Sequence, residues 1–247
     1  MAVRGKITQD LPGFSMPVDA PLYPAPPYRY VDASMLIFNY VTDAQAAARL
    51  LPAALELADP PTAALVFASY PRSSLGPYNE VILYLNATFR GRAVKYATHL
   101  YVTTDIAMAA GREQGGFPKK IGRITFRSDV AYVATLERPE GLPICSGTLR
   151  PERPVPAQFP LSSRYLALRV IPSPQQGRPP TVAELVETRW DTVSGELWSG
   201  PGSCLLTGAS ALDPLHTVPV RQLQNSLFLK GDLEVAALEQ VCQFPLG

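Results

Sequence analysis

Histidine is nearly missing from this chain. His99 and His216 are the only two in 247 residues, too few for a typical multi-histidine metal centre. Cysteine is almost as rare: Cys145, Cys204 and Cys242 stand far apart, with no C-x-x-C spacing. An odd, sparse set argues against a disulfide framework and fits a reducing compartment. Charged residues make up only 17% of the chain, with a net charge of +1. That balance argues against the basic face of a nucleic-acid binder and gives no polybasic surface for a membrane. No apolar run approaches the ~18 residues that a transmembrane helix needs. The opening "MAVRGKITQDLPGF" carries no apolar stretch of the secretory kind. The expectation is a soluble, cytoplasmic protein with no metal and no cofactor.

Proline, by contrast, is plentiful at 26 residues. Residues 1–27 contain "FSMPVDAPLYPAPPYRY" in part and read as an extended Pro-rich arm without helix. Residues 28–247 read as one domain, since no repeat and no clean linker interrupts them. Apolar, β-prone runs recur through it: "MLIFNYVTD", "AALVFASY", "EVILYLNATF", "AVKYATHLYVTT", "AYVATLER", "ICSGTLR", "YLALRVIP", "AELVETRW" and "GELWSGPGSCLLTG". Two helices are expected. One follows a Thr42 or Asp43 cap and ends by Pro52; the other is "DIAMAAGRE" after a Thr104 or Asp105 cap. The stretch "DLEVAALEQV" fits a short helix or a strand equally well. The fold class is α+β and mainly β: a closed antiparallel barrel-like or sandwich core with a few peripheral helices.

In "EVILYLNATF", Glu80, Ile82, Tyr84 and Asn86 share one strand face, and Val81, Leu83, Leu85 and Ala87 share the other. "GGFPKKIG" (115–122) sets two lysines together after an aromatic residue and a proline. Adjacent residues on a strand point to opposite faces, so Lys119 and Lys120 are expected to part ways. A bare lysine pair is most often a solvated charge cluster, because lysine is rarely buried.

The wider stretch "MAAGREQGGFPKKIG", with "LGPYNEVILYL" upstream, resembles the acetoacetate decarboxylase superfamily. "APPYRY", "NYVTD" and "WSGPG" resemble further family segments, so the likeness runs from about residue 20 to the C-terminus. The resemblance implies the family's closed barrel, assembled as a homo-oligomer of four or more subunits. It also implies Lys119 as a Schiff-base nucleophile and Glu80 as its acid/base partner. Gln114, Arg29, Tyr78 and Phe117 are the candidate substrate-binding residues. Counted without gaps, a family arginine falls near Ala33, with Arg29 close by but out of register. A second family glutamate falls near Leu65, and Gln114 replaces an apolar residue.

Only an unprotonated amine attacks a carbonyl, and an ordinary lysine is almost wholly protonated at neutral pH. Burial in apolar surroundings frees the amine, and Phe117 and Ile121 are the expected neighbours. The resulting iminium draws electrons from the adjacent carbon. It therefore serves decarboxylation of a 3-oxo acid, or condensation of pyruvate with an aldehyde followed by loss of water. The departures from the family pattern put the pyruvate aldolase-dehydratase first and acetoacetate decarboxylation second. A barrel that binds a small ligand and does no chemistry is the reading from another class. Keto acids and aldehydes are the expected partners. His99, Arg112, Glu113, Lys120 and the cysteines are assigned to structure.

Overall fold

The computed structural model describes residues 2–5, 7 and 14–245, with the backbone alone at Ala236 and Ala237. The expected arm is described mainly over residues 14–27, which form bends and turns without helix; the rest of its first thirteen residues lie largely outside the described set. Tyr23 from this segment is buried and donates its hydroxyl hydrogen to Glu113 Oε2 at 2.5 Å.

In chain order the main elements are β1 (Tyr28–Val41), α1 (Ala44–Ala48), β2 (Thr62–Tyr70), β3 (Tyr78–Phe89), β4 (Arg92–Val102), α2 (Asp105–Glu113), β5 (Lys119–Ile121), β6 (Arg123–Ser128), β7 (Tyr132–Glu137), β8 (Pro143–Leu149), β9 (Leu161–Ile171), β10 (Val182–Ser199), β11 (Gly202–Leu206) and β12 (Gln222–Gln243). Seven of them close a barrel in the order β3–β2–β1–β12–β10–β9–β4, with β4 pairing back onto β3. Six seams are antiparallel. The β9–β4 seam is parallel, as is the attachment of β5 to β4. A second sheet, β11–β8–β7–β6, lies outside the barrel.

The strands are apolar on both faces because both faces are covered. Inward-facing Met35, Val66, Ile82 and Leu100 belong to one core. Outward-facing Leu36, Leu65, Phe67, Val81, Leu83 and Leu85 belong to another, shared with Leu136, Ile144 and Leu149 of the small sheet. At roughly 25 cal/mol per Å² of buried apolar surface, this second core is what holds the small sheet to the barrel wall.

Both helix expectations hold in outline. Asp43 caps α1 by accepting from the Ala46 N–H at 2.9 Å, and the helix stops at Ala48, ahead of Pro52. The segment 232–241 is strand, part of β12. Its backbone is paired with β10 along most of its length, and that ladder overrides the helical propensity of its alanines and leucine. Among the described residues no helix is long and apolar enough to cross a membrane.

Candidate active site

Glu80 enters the site because β3 alternates. Ala68 of β2 and Val102 of β4 flank it, and its side chain points into the barrel with Ile82 and Tyr84. Lys119 arrives by another route. Helix α2 buries Ala107 and Ala110 and ends at Gln114. The Gly115 and Phe117 N–H groups both donate to the Gly111 carbonyl, at 3.2 and 3.0 Å. Gly116 adopts φ +68° in this turn, and a Cβ there would lie 2.5 Å from Arg169 Cβ. Only glycine meets both demands. The chain reverses, and Lys119 falls opposite Leu100 on β4. Arg112 Nη1 donates to the Lys119 carbonyl at 3.1 Å, and Arg169 Nε to the Glu113 carbonyl at 2.6 Å. Arg112 and Glu113 thus serve the turn.

Lys119 Nζ stands 2.8 Å from Glu80 Oε1, with the two side chains 5% and 1% exposed. The contact is close in distance, but neither Glu80 oxygen has a directed hydrogen bond among the described residues. A buried carboxylate without such bonds is costly, and it leaves lone pairs facing the cavity. Nζ also lies 5.8 Å from the centre of the Tyr78 ring and 5.9 Å from that of Phe117. Ile121, expected to help bury it, is 39% exposed. The covering surface comes instead from Phe117, Tyr78 and the face of α2 at Gly111. Lys120 points the other way and binds Asp213 Oδ1 at 2.9 Å, as alternation requires.

A cavity surrounds this pair. Its walls are mostly apolar and aromatic, among them Met35, Val66, Tyr70, Phe117, Tyr165 and Trp190. A second, smaller chamber shares Phe117, Lys119 and Trp190 with it, so Lys119 stands at the junction. Tyr70 lines the main cavity. Burial first, then the nearby Glu80 charge, push its phenol well above the usual tyrosine range. Burial, then Tyr84 and Glu80, do the same to Tyr165. Both remain neutral O–H groups. The Tyr70 hydroxyl and Trp190 Nε1 are buried without protein partners among the described residues, which suits groups that meet a ligand.

The remaining candidates divide. Phe117 lines both chambers. Tyr78 is buried beside Lys119, and its hydroxyl lies 3.4 Å from that of Tyr30. Arg29 is not in the cavity. Its side chain is 73% exposed and pairs with Glu234 at 3.6 Å, because position 29 alternates outward on β1 between buried Tyr28 and Tyr30. Gln114 is not in it either. As the C-cap of α2 it turns outward and donates to the Tyr28 hydroxyl at 2.6 Å. Leu65, where the ungapped count set a second glutamate, faces the outer core. The inward β2 positions are Ala64, Val66, Ala68 and Tyr70, so no carboxylate joins Glu80 from that strand. Among the described residues, the charged ones lining the cavity are Glu80, Lys119 and Lys95. Lys95 was missed. The signal was a lysine inside the apolar run "AVKYATHLYV", on a strand with both faces covered.

A closed barrel with a buried lysine–carboxylate pair inside an aromatic cavity defines a narrow class of proteins. The sequence profile of the acetoacetate decarboxylase (ADC) family matches residues 15–243, and the chain belongs to that family. It is 33% identical over 225 residues to the acetoacetate decarboxylase of Streptomyces nogalater, covering 89% of this chain and 91% of that one. The fold matches the crystal structure of acetoacetate decarboxylase from Legionella pneumophila with a TM-score of 0.86 at 24% identity, over 99% of both chains. It also matches the enduracididine biosynthesis enzyme MppR, complexed with the condensation product of pyruvate and imidazole 4-carboxaldehyde. That TM-score is 0.82 at 19% identity, over 99% of this chain and 100% of that one.

Proposed function

We propose that the chain is a Schiff-base lyase that decarboxylates a 3-oxo acid. The observation that carries this reading is the 2.8 Å contact of Lys119 Nζ with Glu80 Oε1 in a cavity lined by aromatic and aliphatic groups. Lys119 must lose a proton before it attacks, and Glu80 is the acceptor in reach. The amine adds to the ketone carbon, Glu80 returns the proton to the resulting hydroxyl, water departs, and an iminium forms beside a Glu80 that is again a carboxylate. The bond to the carboxylate carbon then breaks, its electron pair moves into the iminium, and carbon dioxide leaves an enamine. Glu80 then takes up a proton from solvent and delivers it to the enamine carbon. Water then releases the ketone and restores the amine.

The walls favour this bond cleavage. A departing carboxylate concentrates negative charge that the transition state disperses. Apolar surroundings and the charge of Glu80 raise the energy of the first more than of the second, the difference that accelerates a reaction.

Condensation of pyruvate with an aldehyde is the second reading, and the likeness in fold to MppR keeps it open. It has less support from Gln114, which does not line the main cavity and whose amide donates to the Tyr28 hydroxyl in the wall of the second chamber. One experiment separates the readings. The protein is given acetoacetate, and carbon dioxide release is followed. A parallel sample receives pyruvate with an aromatic aldehyde, and a new conjugated absorbance is sought. Borohydride is then added, and the mass gain is mapped. Carbon dioxide release with label on Lys119 supports the proposal. Absorbance without carbon dioxide reverses the order. No label in either sample favours the ligand-binding barrel.

A further inference from the structure

Lys95 belongs to neither the Lys119 turn nor the Glu80 strand position, yet it lines the same cavity. Its inward aim comes from an irregularity in β4. The β3–β4 register pairs Tyr84 with Ala97 and Leu83 with His99, leaving Thr98 as an extra residue. Thr98 Oγ1 fills the gap by donating to the Leu83 carbonyl at 2.9 Å. A bulge of this kind reverses the alternation. Leu100 and Val102 face inward on one side of it, and Ala97 and Lys95 on the other. In a regular strand with Leu100 inside, Lys95 would face outward.

The ammonium so delivered is short of partners. Nζ lies 5.0 Å from the Tyr84 ring centre and 5.3 Å from that of Tyr165. It donates to Ser163 Oγ at 3.0 Å. An ammonium has three protons to donate, and no carboxylate of the described residues pairs with it. Burial lowers its pKa only to about 8, so it is still mostly cationic at neutral pH. Trp190, whose ring centre is 6.0 Å from that of Tyr165, adds a buried Nε1–H without a partner among the described residues.

We propose that Lys95 receives a second carboxylate at the far end of the substrate, so that the cavity takes 3-oxo acids bearing a distal carboxylate. The proposal rests on Lys119 as the reacting end. On β3, Glu80 marks that end and Tyr84 the other, four residues apart and roughly 13 Å along the strand at ~3.3 Å per residue. Both lysine side chains reach into the same cavity and shorten that span. The position also suits the chemistry. A cation beside the departing carboxylate would resist its loss, whereas one at the far end fixes the substrate without touching the breaking bond. A single ammonium matches a singly charged carboxylate. Phosphate, with more charge, calls for the arginines or clustered N–H groups that this wall does not present.

The test uses two ketones with the same carbon chain: 4-oxopentanoate, which has the distal carboxylate, and 2-pentanone, which lacks it. Affinities are measured by calorimetry on the whole chain, on Lys95→Met and Lys95→Gln, and on Lys119→Ala. The wild type should prefer 4-oxopentanoate by about tenfold or more, the scale of one charge-assisted hydrogen bond. Both Lys95 variants should bring the ratio to near one, and Lys119→Ala should keep it. A wild-type ratio near one overturns the proposal, as does a preference that survives in both Lys95 variants. Borohydride trapping of the same ketones reads Lys119 separately. Trapping of the wild type at Lys119 with no preference defeats the Lys95 site alone; a preference kept in Lys119→Ala, with no trapping in the wild type, defeats the Schiff-base reading alone.

Discussion

Gly111 and Lys119 are fitted to each other: a Cβ on Gly111 would lie 2.5 Å from Lys119 Cδ, 2.6 Å from Cε and 3.2 Å from Nζ. The lysine side chain runs across the bare backbone of α2. A methyl group there pushes the amine off its line toward Glu80. Gly111→Ala is otherwise favourable to a helix, by up to ~1 kcal/mol. The variant should therefore stay folded, with thermal stability close to that of the parent, while borohydride trapping of a ketone at Lys119 falls by about tenfold or more. Unchanged trapping would mean that the amine has more freedom than the packing allows.

The buried pair makes a prediction about stability. Removing one partner of a buried pair costs about 3–5 kcal/mol, because the other charge is left alone, whereas replacing both with apolar groups is neutral or stabilising. Lys119→Met should lower stability by that order, and so should Glu80→Leu. The double variant should recover most of the loss. A denaturant-melt cycle measures the coupling, and simple additivity of the two changes would refute it.

Glu80→Gln keeps the shape of the side chain but removes its proton-carrying role. Carbon dioxide release should fall by about 10²–10⁴-fold, the usual worth of a positioned acid or base, while a slow covalent label on Lys119 persists. Full activity in this variant would assign the proton transfers elsewhere.

His99 supplies the pH dependence. Burial, then the nearby Lys120 charge, lower its pKa from 6.5 to about 4, and its Nδ1 has no partner among the described residues. The fold thus favours the neutral ring, whereas the unfolded chain takes up a proton near 6.5. Stability from this residue is present above pH 6.5, is lost as pH falls toward 4, and changes no further below that. The full loss is at most about 3 kcal/mol. His99→Phe should flatten this limb in melts between pH 7 and 4; an unaltered acid limb would exclude His99 as its source.

Asp213 gathers Lys120 at 2.9 Å, Arg138 at 3.1 Å and the Tyr101 hydroxyl at 3.1 Å. Lys120 and Arg138 are each about one-third exposed, so water takes over part of their loss. Asp213→Asn should cost about 1–3 kcal/mol, read as a drop of several degrees in Tm, with trapping at Lys119 retained. Loss of trapping at unchanged stability would move Asp213 into the chemistry.

Much of the wall was legible from residues alone. "EVILYLNATF" is apolar at both parities except at Glu80, Asn86 and Thr88, and the structure covers both of its faces. The opposite aims of Lys119 and Lys120 followed from strand alternation, and "DIAMAAGRE" is α2 to the residue. Gln114 and Arg29 were misplaced for a common reason. Each is close in sequence to a residue near the site, but orientation at a helix end or on a strand is set by local geometry, and both turn outward.

Local pattern determined what is periodic or adjacent: the strands and their two covered faces, the short helices, the glycine turn ahead of a lysine pair, and the family. Tertiary structure decided what depends on distant segments meeting. The 2.8 Å approach of Lys119 to Glu80 joins a turn after α2 to a strand begun about forty residues earlier. Lys95 faces inward because of one unpaired residue in β4, and the segment 232–241 is strand because β10 lies alongside it. Side-chain alternation is a property of one chain segment, whereas register and ladder hydrogen bonds belong to pairs of segments, and a single sequence does not specify its pairs locally.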